Sequence, residues 1–78
     1  MINNRNEKLL QSFGSHLRKI RRRKKVSQEQ LAFAAEISIS QISRIERGLI
    51  NPTLSTIFSL ASALDMDMKE LCNFVVET

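Results

Sequence analysis

The chain has 78 residues and a net charge of +4, which fits one domain with a small hydrophobic core and an affinity for polyanions. No apolar run approaches membrane-spanning length, and residues 1–8 lack the apolar core of a signal peptide, so a cytoplasmic protein is predicted. The single cysteine, Cys72, excludes an internal disulfide and a cysteine-based metal site.

The first predicted helix begins between Asn4 and Ser12 and runs to about Lys24. Its buried face is marked by apolar residues at spacings of three and four, namely Leu10, Phe13, Leu17 and Ile20. Gly14 lies within this stretch and lowers helix propensity by roughly 1 kcal/mol relative to alanine. We therefore expect another helix to pack closely against Gly14.

The end of the first helix is strongly basic, with seven cations in the eight positions 18–25. Residues 1–52 carry eleven Lys or Arg against four acids, whereas residues 53–78 carry one lysine against four acids. A basic front and an acidic back would orient the molecule on a polyanion, and nearby phosphates would relieve the repulsion among the cations. The alternative is a well-solvated surface without a partner.

Two short helices are predicted at residues 26–35 and 38–47. Ser27 can cap the first of them, with Gln30 completing a capping box, and Ser38 can cap the second. Gly48 is a helix stop. The apolar positions of this segment have helical spacing, with a small residue where the helices cross, namely Leu31, Ala32, Ala35, Ile37, Ile42 and Ile45. The pattern predicts a helix-turn-helix unit.

A fourth helix is predicted after the cap Thr53, and a short fifth helix after the cap Asp67. Residues 74–78 are too few to classify, and they either extend the fifth helix or pair as a strand. We divide the chain into an N-terminal extension or start of helix one (1–11), a helix-turn-helix domain (12–73) and a short tail (74–78). The predicted fold class is all-α, a compact bundle of five helices.

The sequence resembles the lambda-repressor-like, or Xre-type, family of DNA-binding domains between about Phe13 and Leu71. The matching landmarks are LRKIR at 17–21, SQEQLA at 27–32, ISRIERG at 42–48, Asn51-Pro52 and ASAL at 61–64. No single landmark is specific, but five in this order and spacing are. The resemblance implies a five-helix bundle that binds the major groove of double-stranded DNA, usually as a homodimer on a near-palindromic operator.

The resemblance also assigns roles to individual residues. Base edges would be read by Ile39, Ser40, Gln41 and Arg44, and the DNA backbone would be contacted by Ser27, Gln28, Ser43, Arg47 and Asn51. Arg21 and Glu46 would form a structural ion pair. Two roles stay open: Ile39 either contacts a thymine methyl group or packs against Phe33, and Arg44 contacts either a guanine or a phosphate.

Apolar residues near the C-terminus would form a dimer interface, namely Phe58, Met68, Cys72, Phe74 and Val75. Leu49 and Ile50 are unexpected in a loop where the family carries polar residues, and they form either an interface or local packing. The sequence departs from the family at three inter-helix turns, where Lys25, Glu36 and Asp65 replace glycine. Either these turns differ in shape or the chain tolerates left-handed strain there.

The predicted function is that of a sequence-specific, stand-alone transcriptional regulator of bacterial or phage type. The alternatives are a restriction-modification controller or antitoxin-type regulator, and a protein-binding adaptor that keeps the fold without reading bases. An enzyme is not expected, because His16 has no acid at a recognisable spacing and Cys72 has no second histidine. No cofactor, metal, membrane or small-molecule ligand is expected.

Overall fold

The computed structural model describes residues 6–76, which form five helices and no strand. In chain order these are α1 (Glu7–Arg23), α2 (Gln28–Ala35), α3 (Ile39–Glu46), α4 (Leu54–Ala63) and α5 (Met68–Leu71). The predicted all-α, five-helix fold is confirmed. Residues 1–5 of the predicted N-terminal extension and residues 77–78 of the predicted tail lie outside the described residues.

Every helix begins at a polar residue whose side chain accepts a hydrogen bond from a backbone N–H three residues later. These caps are Asn6, Ser27, Ser38, Thr53 and Asp67. The last four were predicted from the sequence, and Ser27 forms the complete capping box with Gln30. A cap satisfies a backbone donor that the helix leaves unpaired, and typically contributes about 1 kcal/mol.

The core takes at least one fully buried side chain from each helix. The side chains without exposed surface are Leu17, Leu31, Ile42, Leu60 and Leu71, one for each helix in chain order. Even the four-residue α5 is therefore anchored to the rest of the bundle. A buried leucine of this kind contributes about 1.5–3 kcal/mol through removal of its apolar surface from water.

Gly14 lies where the backbone of α1 crosses the end of α3. A Cβ at this position would overlap the carbonyl oxygen of Ile45 and lie 2.6 Å from that of Glu46. The close helix packing expected at Gly14 is therefore present, and only a residue without a side chain permits it. This contact fixes the basic helix α1 against the C-terminal end of α3.

The three turns that lack glycine keep the left-handed backbone. Lys25, Glu36 and Asp65 have φ angles of 59°, 60° and 56°. The sequence left open whether these turns differ in shape or tolerate left-handed strain. The observed φ angles show that they tolerate the strain. Each such residue costs on the order of 1 kcal/mol relative to a right-handed conformation, less for aspartate, whose side chain can bond locally.

The C-terminal tail neither extends α5 nor forms a strand within the described residues up to Val76. Phe74 instead folds back onto α1, with its ring centroid 5.7 Å from that of Phe13 and 5.4 Å from that of His16. His16 is consequently half-buried, at the edge of the core. In the part of the chain that is described, the helices are too short or too polar to cross a membrane.

Candidate nucleic-acid interface

A turn of three residues joins α2 to α3. Glu36 reverses the chain in its left-handed conformation, and the N–H of Ile37 donates to the carbonyl oxygen of Ala32 at 3.0 Å. Ala32 is 3% exposed, and its small side chain lets the two helices approach. Ser38 then starts α3, because its hydroxyl accepts from the N–H of Gln41 at 3.0 Å. The two helices therefore have a fixed relative orientation.

α3 has one face in the core and one face towards solvent. Ile42, Ile45 and Glu46 are buried, and they hold the helix against the bundle. The predicted base-reading residues lie on the other side: Ser40 and Arg44 are exposed, Ile39 is 45% exposed and Gln41 is half-buried. The solvent face thus presents hydroxyl, amide and guanidinium groups, which can bond to base edges and phosphates.

Arg21 and Glu46 form a buried ion pair between α1 and the end of α3. Arg21 Nε donates to Glu46 Oε2 at 2.6 Å, and Nη2 donates to Oε1 at 3.1 Å. Arg21 Nη1 also donates to the carbonyl oxygen of Val26 at 2.9 Å. This two-bond arrangement is the geometry in which arginine and a carboxylate interact most strongly. It joins α1, the loop before α2 and α3 in one unit.

Gln28 belongs to the same network through a bond to Glu46; the resemblance implies that this glutamine braces α3, but sequence reasoning did not foresee Glu46 as its partner. Its amide Nε2 donates to Glu46 Oε1 at 3.0 Å, and the residue is half-buried. An amide nitrogen carries two N–H groups, so this bond uses one of them. The contact spans 18 positions in the chain and follows no local pattern. Gln28 is therefore oriented by Glu46 at the start of α2.

The other predicted backbone-contact residues differ in their exposure to solvent. Ser27 and Asn51 are exposed, and Ser43 is half-buried. Arg47 is exposed and ends α3, with its Nε 3.4 Å from the carbonyl oxygen of Ser43. The basic end of α1 and the turn that follows it carry exposed cations, namely Arg18, Lys19, Arg22, Arg23, Lys24 and Lys25.

The residues predicted for a dimer interface fall into two groups. Phe58 is 59% exposed and Val75 is 84% exposed, whereas Met68 and Phe74 pack partly against the protein's own core. Cys72 is exposed. Sequence reasoning missed a neighbour, the 73% exposed Leu54, which lies one helical turn before Phe58 on α4. The two side chains therefore share one apolar face.

Other exposed apolar residues lie closer to α3. Phe33 on α2 is 88% exposed, although the sequence had offered it only as a packing partner for Ile39. In the loop after α3, Leu49 is 49% exposed, whereas Ile50 packs against the core. Local packing therefore holds for Ile50, whereas an interface at Leu49 stays a prediction. Between residues 6 and 76 there is no group of three or more potential metal ligands.

The site consists of two short helices at a fixed angle, with a polar exposed face on the second helix and a basic helix end beside them. These features define a helix-turn-helix DNA-binding protein. The helix-turn-helix family HTH_3 matches residues 17–71, and the chain belongs to this family. The predicted family is therefore confirmed. Members of this class are transcriptional regulators and not enzymes, as the sequence had indicated.

The chain is similar to control protein C.BamHI of Bacillus amyloliquefaciens, with 41% identity over 63 residues that cover 80% of this chain and 78% of that protein. An uncharacterised HTH-type transcriptional regulator of Sinorhizobium fredii, y4dJ, is 37% identical over 65 residues, which cover 83% of this chain and 84% of that protein. Among solved structures, the restriction-modification controller protein C.AhdI from Aeromonas hydrophila has a TM-score of 0.76 and 43% identity, covering 81% of this chain and 94% of that one.

Proposed function

We propose that this transcriptional regulator binds DNA as a homodimer and reads a near-palindromic operator by inserting α3 into the major groove. The observation that supports this most directly is the division of α3 into two faces. Ile42 and Ile45 anchor one face in the core, while Ser40 and Arg44 stand exposed on the other. A helix held in this way can enter the groove without losing its own packing.

Base reading would fall to Ile39, Ser40, Gln41 and Arg44. A bidentate pair between Gln41 and adenine, or between Arg44 and guanine, typically contributes about 1–3 kcal/mol of discrimination. Gln28 would place its second amide N–H towards a phosphate, with its orientation set by the bond to Glu46. The remaining backbone contacts would come from Ser27, Ser43, Arg47 and Asn51.

Dimerisation would use the apolar face of α4 and the tail. Phe58 on α4 and Val75 in the tail are exposed by more than half, and Leu54 lies on the same face of α4 as Phe58. Cys72 is also exposed, and the partly buried Met68 and Phe74 would complete the interface. Light scattering after size-exclusion chromatography should show a dimer at micromolar concentration, and Phe58→Ser should shift it towards monomer. A wild-type protein that stays monomeric at high micromolar concentration would refute the dimer.

Selection of bound sequences from random DNA tests the reading surface, because the motif, its symmetry and its half-site spacing report the operator and the dimer together. Gln41→Ala and Arg44→Ala should each relax the motif at one position of each half-site. Lys69→Ala is the matched control, since Lys69 is exposed on α5. Unchanged motifs in both α3 variants would show that α3 does not read the bases, whereas failure of the wild type to select any motif would indicate a protein-binding adaptor.

Restriction-modification control is the physiological setting we favour. The observation behind it is the similarity to C.AhdI and C.BamHI, at 43% and 41% identity over about four-fifths of this chain. Neither residue identity nor fold encodes the position of an operator relative to a promoter. Mapping binding sites in the source genome tests the setting: sites upstream of restriction and methylation genes support it, and sites confined to other promoters contradict it.

A further inference from the structure

Phe33 has the largest exposed fraction of any large hydrophobic side chain in the described part of the chain, at 88%. It lies on the outer face of α2, beside the turn that leads into α3. Burial of its ring would remove considerable apolar surface from water. An aromatic side chain left in solvent beside the helix proposed to read DNA is available for a contact that the free protein does not make.

Phe33 and Ile39 line the same open groove. Ile39 is the first residue of α3 and is itself 45% exposed, so the groove opens at the end of α3 that carries the proposed base readers. Ala32 and Ile37 complete its apolar lining. The groove is therefore continuous with the surface proposed to face base edges.

Apart from Ser27, which is proposed to contact the DNA backbone, the lining of this groove disfavours a phosphate as its occupant. Glu29 is part of the lining, no lysine or arginine of the described chain lines it, and the exposed Glu36 lies in the adjoining turn. The neutral, apolar group that the major groove of DNA offers is the 5-methyl group of thymine. That methyl group matches the chemistry of Phe33 and Ile39.

We propose that Phe33, together with Ile39, contacts pyrimidine 5-methyl groups at the edge of each half-site and is a specificity-determining residue. The inference rests on the proposed function, because it requires the start of α3 to lie in the major groove. Of the two alternatives for Ile39, the inference favours contact with a thymine methyl group over packing against Phe33. Both side chains would then contact the same kind of methyl group. A 5-methylcytosine at the same position would be accepted in the same way.

The test uses the full-length protein and an operator duplex obtained by selection from random DNA. Each thymine is replaced singly by deoxyuridine, which removes only the methyl group, and dissociation constants are measured for wild type and Phe33→Ala. For the wild type, loss of a contacted methyl should weaken binding about fourfold, the factor expected for one buried methyl-sized group. Phe33→Ala should bind the thymine and deoxyuridine duplexes within about twofold of each other.

Two further variants separate this contact from general DNA affinity. Phe33→Leu keeps an apolar side chain and should retain part of the discrimination. Arg22→Ala removes an exposed cation and should weaken binding to both duplexes equally, because electrostatic attraction does not depend on the base methyl. Phe33 is exposed, so Phe33→Ala should keep the fold, which circular dichroism verifies.

Equal methyl dependence in wild type and Phe33→Ala would overturn the inference, since another residue would then read the methyl. It is also overturned if no thymine methyl matters, or if Phe33→Ala leaves DNA binding intact and disrupts only an assembly with another protein. In these cases the proposed function would still stand if Arg44→Ala selected a less specific DNA motif than the wild type. Failure to select any motif would refute the proposed function and the inference with it.

Discussion

Replacing Glu46 with alanine should lower the free energy of unfolding by about 3–5 kcal/mol, because it leaves a buried guanidinium without its carboxylate. Arg21 is 8% exposed and Glu46 is 7% exposed. The carboxylate accepts two hydrogen bonds from Arg21 and a third from Gln28. A 78-residue domain has a total stability of roughly 4–12 kcal/mol, so the loss is about a quarter of the total or more.

Urea unfolding followed by far-UV circular dichroism measures the effect. Glu29→Ala is the matched control, since Glu29 is exposed in the first turn of α2 and should contribute less than about 1 kcal/mol. The double variant Arg21→Met/Glu46→Leu removes both charges and should recover most of the lost stability. If Glu46→Ala loses no more stability than Glu29→Ala, the network does not hold α1 and α3 together.

Three further substitutions test the packing and the backbone. Gly14→Ala should destabilise by about 2–3 kcal/mol, since its Cβ would meet backbone carbonyls of α3 that cannot move aside. Glu36→Gly should stabilise by about 0.5–1 kcal/mol, because relief of left-handed strain exceeds the entropy cost of glycine. Phe74→Ala should cost about 1–2 kcal/mol through loss of its contacts on α1, whereas the exposed Val75→Ala should cost less than about 0.5 kcal/mol.

Each of these has an outcome that contradicts it. Helix propensity alone predicts that Gly14→Ala stabilises by about 1 kcal/mol, so a gain in urea midpoint would disprove the backbone contact. Glu36→Gln removes the charge and keeps the side chain, and a melting temperature raised as much as in Glu36→Gly would assign the gain to charge. Equal losses for Phe74→Ala and Val75→Ala, measured at low protein concentration, would show that Phe74 is not docked.

The helices could be predicted because their signals are local. Ser27 and Gln30 lie three positions apart, and the buried stripe from Leu10 to Ile20 repeats within one helix. The expected helix contact at Gly14 followed from the same reasoning, since a glycine inside a helical pattern needs a packing reason. Local signals also named the caps at Thr53 and Asp67.

The features that the sequence did not predict depend on contacts between residues that are distant in the chain. Gln28 and Glu46 meet only after α2 and α3 have packed, and no periodicity reports that pair. The exposure of Phe33 was missed because an aromatic residue in a short helix is more often buried than left in solvent. The tail gave no pattern of its own, and its position depends on the surface that Phe13 and His16 offer to Phe74.

The buried network also explains how an acidic residue can lie at the end of a helix proposed to enter DNA. Glu46 is neutralised by Arg21, which the structure places within 2.6 Å of it, so the pair presents little net charge to a phosphate backbone. The same bonds orient Gln28 and hold α3 against the basic helix α1. Glu36 differs, because it is exposed in the turn and its negative charge is available to repel phosphates. The helix proposed to read DNA is thus held by a neutralised acid, and the exposed Glu36 in the turn before it would favour contact with neutral base edges over phosphates.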